Sequence, residues 1–335
     1  MINIAQKIEA PIIDQTALST EILSAFCKAA GDSLRLEILR VLSHNAYGVL
    51  ELSELFGVKQ SGMSHHLKVL FNAGLVATRR EGNTIFYRRS PLPTNHQLLE
   101  LHRSLIATVD QLSLSTDLQQ RIDETNRVRT EASRAFFQQN AEKFQANQDL
   151  IASYEHYGDI VTEFLDATPC DKKTVLEVGP GEGGFLPNLS QRFDQVIALD
   201  TSDEMLNRSH DVVSENKLTN ITLIHGDTNV ALTQNIKANC ITLNMVLHHI
   251  PNPSQIFEEL EQLLVEDGSL LVTDLCHHDQ SWARESCGDL WLGFEPEDLS
   301  NWALTAGFIE GESLYLAQRN GFQIQLRQFF KHSKH

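Results

Sequence analysis

The chain has 335 residues, 41% of them hydrophobic, and a formal net charge of −17. That length can supply two domains, each with its own apolar core. No apolar run approaches the roughly 20 residues that span a bilayer, the first ten residues lack the pattern of a signal peptide, and the five cysteines form no C-x-x-C pair. These features exclude an integral membrane protein and a disulfide scaffold, and we expect a reduced, soluble, cytoplasmic protein.

The negative charge is unevenly distributed. Residues 1–100 carry 10 Lys and Arg against 9 Asp and Glu, so the acidic excess belongs to the rest of the chain. Between Lys59 and Arg89 there are six basic residues and one acidic residue. Contact with DNA phosphates needs such a local positive charge, although an ordinary solvated surface can have the same composition.

The first hundred residues predict three short helices followed by a strand pair. Helical spacing of apolar residues appears in 33–42, 49–57 and 61–74. The strands LVATRR and TIFYRR then flank a turn at Gly82-Asn83, where positive φ is tolerated. This order predicts a winged helix-turn-helix, in which the third helix enters the major groove and the wing holds the DNA backbone.

That geometry assigns DNA contacts to the start of the third helix and to the wing. The residues expected there are Gln60, Ser61, Ser64, His65, His66 and Lys68 from the helix, and Arg79, Arg80, Arg88 and Arg89 from the wing.

The stretch SHHLKVLFNAGLVATRREGNTIFYR resembles the ArsR/SmtB family of winged-helix repressors over about residues 20–95. The resemblance implies a dimer on double-stranded operator DNA, paired through the first and last helices of the domain. Many members sense metals, but the family's C-x-C ligands fall here on Gly48 and Leu50. A zinc site at His96, Glu100 and His102 is the remaining, weaker metal alternative.

From Asn95 to about Ile151 the chain is helical in period and contains no Gly or Pro. An apolar stripe in this segment favours pairing with a second copy of the chain, because recognition of two operator half-sites requires a two-fold symmetric dimer. The alternative is that the stripe packs on the chain's own domains. The stripe consists of Leu98, Leu101, Leu105, Val109 and Leu112. We therefore predict a DNA-binding domain in 1–95, a helical dimerisation and linker segment in 96–150, and a ligand domain in 151–335.

Beyond Thr174, strands and helices alternate. The predicted strands are TVLEVG, QVIALD, ITLIHGD, CITLNMVL and SLLVTDLC, which is typical of a parallel, doubly wound, Rossmann-like α/β sheet. The last segment, LYLAQRNGFQIQLRQFF, breaks this rhythm, because Asn320-Gly321 predicts an antiparallel hairpin.

A glycine-rich turn after the first of these strands predicts a nucleoside site. Gly179, Gly181 and Gly184 satisfy G-x-G-x-x-G, and Asp200 follows at the distance of a ribose-binding acid, so a nicotinamide dinucleotide must be considered. An acid two residues before the first glycine, another after the third strand, and the terminal hairpin favour S-adenosylmethionine or S-adenosylhomocysteine instead.

Together with VLHHIPNP these features resemble class I methyltransferases over about residues 140–331. The glycines would let the backbone approach the ligand, Asp200 would accept from the ribose hydroxyls, Asp227 would accept from the adenine amino group, and Glu177 would act near the ligand's ammonium. The expected cofactor-binding residues are Glu177, Gly179, Gly181, Gly183, Asp200, Thr201, Asp227, Thr228 and Asn244.

The sequence assigns no catalytic residue. Methyl transfer depends mainly on alignment, and a base is needed only when the acceptor must lose a proton. His248, His249 and His277 are weak candidates at the carboxyl edge of the sheet. We predict no metal site, since adjacent side chains such as His277 and His278 diverge.

The segment 271–308 resembles fusions of an ArsR-type reader to a methyltransferase-like domain, including regulators of the methionine cycle that respond to S-adenosylhomocysteine. The leading hypothesis is a homodimeric transcriptional repressor that uses the adenosyl ligand as an effector. The alternative is an active small-molecule methyltransferase carrying a DNA-binding domain, and a metal-responsive repressor is a third hypothesis.

Overall fold

The computed structural model describes residues 18–43, 45–81, 84–90 and 96–332. The chain forms two compact units, Met1–Val128 and Arg129–His335. The turn predicted at Gly82-Asn83 lies outside the described residues. No described helix combines the length and apolar character that crossing a membrane requires.

The first unit is a winged helix-turn-helix, as predicted. Its elements are α1 (Thr20–Ala30), α2 (Ser33–Val41), β1 (Tyr47–Gly48), α3 (Val49–Phe56), α4 (Gln60–Asn72), β2 (Val76–Glu81), β3 (Thr84–Arg89) and α5 (Leu99–Asp110). The strands form an antiparallel sheet in the order β1-β3-β2. Helix α3 ends at Gly57, whose φ of 63° is the left-handed conformation that stops a helix before a tight turn.

The core of this unit lies beneath α4 and draws on every helix. It contains Phe26, Ile38, Leu39, Leu52, Leu55, Met63, Leu67, Leu70, Leu98, Val109, Leu118 and Ile122. Met63, Leu67 and Leu70 recur at helical spacing, so they bury one face of α4 and leave its other face in solvent.

Helix α6 (Thr116–Ala152) is 37 residues long and begins in the first unit and ends in the second. The stretch predicted to be helical in period, 95–151, contains two helices, since α5 ends at Asp110 and α6 begins at Thr116. The three-part division of the chain stays a prediction.

The second unit has a seven-stranded sheet with helices between the strands. Its elements after α6 are α7 (Tyr154–Ala167), β4 (Thr174–Val178), α8 (Leu186–Ser190), β5 (Gln195–Asp200), α9 (Asp203–Glu215), β6 (Ile221–His225), α10 (Thr228–Thr233), β7 (Ala238–Asn244), a 3₁₀ turn (Leu247–His249), α11 (Pro253–Leu263), β8 (Leu264–Leu275), α12 (Trp282–Cys287), α13 (Pro296–Ala306), β9 (Phe308–Ala317) and β10 (Gln323–Lys331).

The strand order is β6-β5-β4-β7-β8-β10-β9. The first five strands in this order are parallel, and β10 is antiparallel to both β8 and β9, which confirms the doubly wound sheet and its terminal hairpin. The order reverses at β4, between β5 and β7. In open α/β sheets ligands bind at the carboxyl ends of the strands at such a reversal.

Candidate functional site

A cavity of about 690 Å³ opens at the carboxyl ends of β4, β5 and β7 in the second unit. Its size lies within the roughly 300–1,000 Å³ of small-molecule pockets. Of the nine residues predicted to bind a cofactor, eight line it: Glu177, Gly179, Gly181, Asp200, Thr201, Asp227, Thr228 and Asn244.

Two glycines of the turn after β4 have different functions in packing. Gly179 has φ of 68°, and a Cβ there would lie 2.3 Å from Val246 Cγ2, so only glycine lets this turn pass under the loop after β7. Gly183 does not line the cavity. A Cβ on Gly183 would lie 3.0 Å from the Cα atom of Ser209, which indicates that this glycine allows close packing of α9.

Asp200 ends β5 and lines the cavity. One carboxylate oxygen accepts a hydrogen bond from the backbone N–H of Ser202 at 2.9 Å. Burial raises the pKa of Asp200 to about 6, although bonds from backbone N–H groups oppose the increase. The group is therefore an ionised acceptor above pH 6, as ribose recognition requires.

Glu177 is buried at the end of β4 and is held by the neighbouring strand. Its carboxyl group accepts hydrogen bonds from the hydroxyl of Thr242 and, at 2.9 Å, from the side-chain amide of Asn244. Burial raises the pKa of Glu177 to about 8, despite these bonds. Its evident effect is to fix the β4 and β7 edges of the cleft.

Asp227 and Thr228 are held by local bonds at the start of α10. Asp227 is the N-cap, and its Oδ1 accepts from the backbone N–H groups of Asn229 and Val230 at 3.1 and 3.2 Å. The hydroxyl of Thr228 donates to the carboxylate of Glu259. Asp227 Oδ1 thus has a structural function at the position where an adenine contact is predicted.

The lining of the cavity is acidic, although Glu177, whose pKa is about 8, is largely uncharged at neutral pH and Glu182 pairs with Arg208 at 2.5 Å. Seven carboxyl residues line it, and the described lining residues include no Lys or Arg. The seven are Asp149, Glu155, Glu177, Glu182, Asp200, Asp227 and Glu259. A lining of this kind favours a cationic or neutral ligand over one that carries phosphates.

Seven lining residues come from α6 and α7, where no site was predicted. Among them, Gln148 and Asp149 lie near the end of α6, and Tyr154 and Tyr157 lie in the first turn of α7. The two tyrosine rings meet edge to face at 5.5 Å between centroids. Their three-residue spacing was the only signal in the sequence, and it is equally typical of core packing.

The three histidine candidates occupy different places. His249 lines the cavity, His248 is completely buried behind it, and His277 bonds through Nδ1 to the carbonyl of Leu292 without lining the cavity. The Nδ1 atom of His248 lies 2.7 Å from Asp274 Oδ1. Asp274 also accepts from the backbone N–H of Leu247 at 2.8 Å, so it orients the loop after β7.

Burial acts on both adjacent imidazoles with different results. It would lower the pKa of His248, but the negative charges of Asp274 and Asp289 outweigh it and raise the pKa to about 9. The pKa of His249 is lowered well below its usual value, by burial and by the positive charge of His248.

In the first unit, α4 presents most of the predicted contact residues to solvent. Gln60, Ser61, Ser64, His65 and Lys68 are exposed. His66 is half-buried, with Nδ1 3.5 Å from the guanidinium of Arg35.

The wing arginines differ in their surroundings. Arg80 is exposed, Arg88 is half-buried, and Arg79 is only 7% exposed. Arg89 forms an ion pair with Asp110 at 2.6 Å and donates to the carbonyl of Leu39 at 2.7 Å. The guanidinium of Arg89 thus joins β3 to α5 and α2, and its phosphate contact stays a prediction.

Two family models match the chain. The model described as a methyltransferase domain matches residues 135–325, and the model described as bacterial regulatory protein, arsR family, matches residues 32–78. The arsenical resistance operon repressor of Staphylococcus aureus is 39% identical over 83 residues, which are 25% of this chain and 75% of that protein. The transcriptional activator HlyU of Vibrio cholerae is 41% identical over 76 residues, which are 23% of this chain and 70% of that protein.

Two of the solved structures that resemble this chain in fold are methyltransferases. A S-adenosylmethionine-dependent methyltransferase from Clostridium acetobutylicum has a TM-score of 0.47 and 13% identity, covering 59% of this chain and 99% of that one. The N-methyltransferase NodS from Bradyrhizobium japonicum, solved with S-adenosyl-L-homocysteine, has a TM-score of 0.44 and 14% identity, covering 57% of this chain and 98% of that one.

Proposed function

Because the chain belongs to the ArsR family of bacterial regulatory proteins in its first unit and to the methyltransferase-domain family in its second, we propose that it is a cytoplasmic transcriptional repressor controlled by S-adenosylmethionine or S-adenosylhomocysteine. The helix α4 and the wing bind operator DNA, and the cavity of the second unit binds the adenosyl ligand as an effector.

The charge of the cavity supports an adenosyl ligand over NAD. The pyrophosphate of a dinucleotide would meet seven carboxyl residues and, among the described lining residues, no basic side chain. The amino-acid ammonium of either adenosyl ligand and the sulfonium of S-adenosylmethionine are cations, which this surface attracts. Asp200 supplies the acceptor for the ribose.

A homodimer is part of the proposal. The predicted stripe divides into two sets, since Leu98 and Val109 belong to the core of the first unit while Leu101 and Leu112 are 43% and 41% exposed. The exposed pair on and after α5 would be covered by a second copy, and a two-fold molecule would match a two-fold operator.

The proposal rests on helix α6, which has residues in both the DNA-binding unit and the ligand-binding unit. Near its start, Leu118 and Ile122 are buried in the core of the first unit. Between them Arg121 donates to the carbonyl of Leu55 at 3.1 Å and lies 3.4 Å from that of Glu54, at the end of α3. A single helix thus contacts the helix that leads into the helix-turn-helix.

The other end of α6 belongs to the ligand cavity. Thr130, Gln148, Asp149 and Ala152 line it. The side-chain amide of Asn320, in the β9–β10 turn, donates to the carbonyls of Leu150 and Ile151 at 2.7 and 2.8 Å, which fixes the last turn. A ligand in the cavity would therefore act directly on a helix that ends at the DNA-reading unit.

A second candidate function is methyl transfer to a small molecule. The cavity of about 690 Å³ is large for a single small molecule, and the imidazole of His249 in its wall could act as a base on a methyl acceptor bound there. An enzyme would produce S-adenosylhomocysteine from S-adenosylmethionine when mixed with extract of its own cells.

One pair of assays on full-length protein separates the two functions. We expect S-adenosylhomocysteine to change operator binding while S-adenosylmethionine is not consumed beyond the rate without protein. If the protein consumes S-adenosylmethionine and neither ligand changes its affinity for the operator, the methyltransferase function is favoured over the repressor function.

Replacement of helix and wing residues should have different effects on DNA binding. Arg80→Ala should lower affinity for every sequence and reduce the salt slope by about 1, because a phosphate contact carries no sequence information. His65→Ala or Gln60→Ala should cost about 1–3 kcal/mol at particular base pairs. Gel shifts on operator and scrambled DNA at several salt concentrations measure both.

Lys217→Ala is the matched control, since it removes one exposed positive charge from the second unit. It should leave the salt slope unchanged. Equal loss of sequence preference in the Arg80 and His65 variants would contradict the assignment of helix and wing.

A further inference from the structure

We propose that His248, His249 and Asp289 form a site for a divalent transition-metal ion, of which zinc suits these ligands best. Each residue offers one ligand atom, and the three atoms lie within 4.8 Å of one another. Two imidazoles with one carboxylate is a donor set that binds zinc and similar ions. The group is independent of the adenosyl ligand, because only His249 borders the cavity.

Adjacent histidines normally point apart, but this pair does not. His248 and His249 lie in the 3₁₀ turn after β7, and their ring centroids are only 4.1 Å apart. By contrast, the rings of His65 and His66 on α4 are 6.0 Å apart. The tight turn brings both imidazoles to the same side, where Asp289 approaches from the segment after α12.

His248 is oriented as a metal ligand. Its Nδ1 is bonded to Asp274 at 2.7 Å, and its Nε2 lies 3.8 Å from Asp289 Oδ1. Among the described residues this Nε2 has no hydrogen-bond partner, although the side chain is completely buried. A carboxylate that holds one nitrogen of a histidine while the other faces an ion is the usual outer support of a metal site.

The second histidine completes the group with a small adjustment. His249 Nδ1 lies 4.0 Å from Asp289 Oδ1 and 3.2 Å from the carbonyl of Gly288. Tetrahedral zinc ligands, bound at about 2.0–2.2 Å, are separated by roughly 3.3–3.6 Å. The two distances to Asp289 Oδ1 therefore need to shorten by a few tenths of an ångström, and the two imidazole nitrogens, which lie within 4.8 Å of each other, need to close to the same separation. The Gly288 carbonyl stands beside them as a further oxygen donor.

A bound ion would join two loops that are far apart in sequence. The turn at residues 247–249 leads into Ile250, Pro251 and Asn252, which line the cavity, while Asp289 follows α12. The ion would hold the cavity wall against that segment, so its binding should raise the melting temperature of the protein.

The probe is Co²⁺, titrated into chelator-treated full-length protein. We expect one high-affinity ion per chain, with the visible absorption of a four-coordinate nitrogen and oxygen site. His248→Gln and Asp289→Asn should each weaken it by more than tenfold. Asp274→Asn, which alters the bond that orients His248 and the bonds to the backbone of the same loop, should weaken it by about 10–100-fold.

Two controls locate the ion. His210→Ala removes an exposed histidine, and the double variant His65→Ala, His66→Ala removes another adjacent pair. Both should bind Co²⁺ as the wild type does. No high-affinity Co²⁺ binding by the wild type, or its loss in the double variant, would overturn the proposal.

A measurement without variants guards against misfolding of the buried substitutions. Crystals of the wild type soaked in ZnCl₂ should show an anomalous peak between His248 Nε2 and Asp289. Zinc found only at other residues would refute the site, and neither result depends on whether the cavity binds an adenosyl ligand.

Discussion

Asp200→Ala should weaken binding of S-adenosylhomocysteine by about 1.5–3 kcal/mol, the magnitude of lost hydrogen bonds to a charged acceptor. The side chain ends β5 at the cavity, and its structural bonds come only from backbone N–H groups of the adjoining loops, among them Ser202 at 2.9 Å, so the fold should survive. Operator affinity without ligand should be unchanged. Calorimetric titration of wild type and variant measures the difference.

The matched control is Asp203→Ala, which removes an exposed carboxylate three residues along that does not line the cavity. It should bind the ligand as the wild type does. Equal affinity of the wild type and Asp200→Ala for S-adenosylhomocysteine would contradict the assignment of Asp200 to the ribose. Tight binding of NAD by the wild type would contradict the assignment of the cavity to an adenosyl ligand.

The raised pKa of Asp200 adds a pH dependence. The carboxylate accepts hydrogen bonds only when ionised, and its pKa is about 6. Affinity should therefore be constant above about pH 7 and fall as the pH drops through 6. The Asp200→Asn variant should bind weakly and lose this dependence, whereas the same pH profile in both proteins would assign the titration to another group.

Arg121→Ala should separate ligand binding from DNA binding. In the wild type the coupling free energy between the two sites should be about 1–3 kcal/mol, and in the variant it should fall toward zero. The guanidinium is the hydrogen-bonding contact of α6 with the end of α3, while Leu118 and Ile122 remain in the core and keep the helix in place. Each site alone should keep its affinity.

Arg127→Ala is the control on the same helix. Arg127 is exposed and pairs with Glu124 one turn away, so its removal should leave the coupling intact. Titrating operator DNA into both variants, with and without saturating S-adenosylhomocysteine, gives the comparison. Undiminished coupling in Arg121→Ala would exclude this contact as the route.

Local pattern was sufficient to predict the two folds. The alternation of apolar strands with helices after Thr174, the glycine turn at Gly179, and the reversal at Asn320-Gly321 are all properties of short segments, and the sheet forms as they indicate. Eight of nine predicted cofactor residues line one cavity for the same reason, because the carboxyl ends of parallel strands meet at one edge.

Features that depend on contacts between residues far apart in the sequence could not be predicted from local pattern. Asp289 lies forty residues after His249, and nothing in its neighbours indicates that it faces two imidazoles. The local charge predicts Arg89 as a phosphate contact, and its ion pair with Asp110 of α5 could not be foreseen from that charge. The tertiary fold determines which carboxylate pairs with which basic side chain.

The helical segment after the wing shows the same limit. Its periodicity predicted a helix, yet periodicity does not say what a helical face contacts. Leu118 and Ile122 bury themselves in the first unit, and Gln148 and Asp149 line the cavity of the second. The segment predicted to be a linker therefore contributes residues to both units.

Occupation of the cavity should change DNA affinity. The operator affinity of the full-length wild type, measured at one salt concentration with and without saturating S-adenosylhomocysteine, tests this directly. We expect a change of about 5–150-fold, and an equal change in ligand affinity when operator DNA is saturating, because coupling between binding sites is reciprocal. Identical operator affinity in the two conditions, with the ligand shown calorimetrically to be bound, would contradict this expectation.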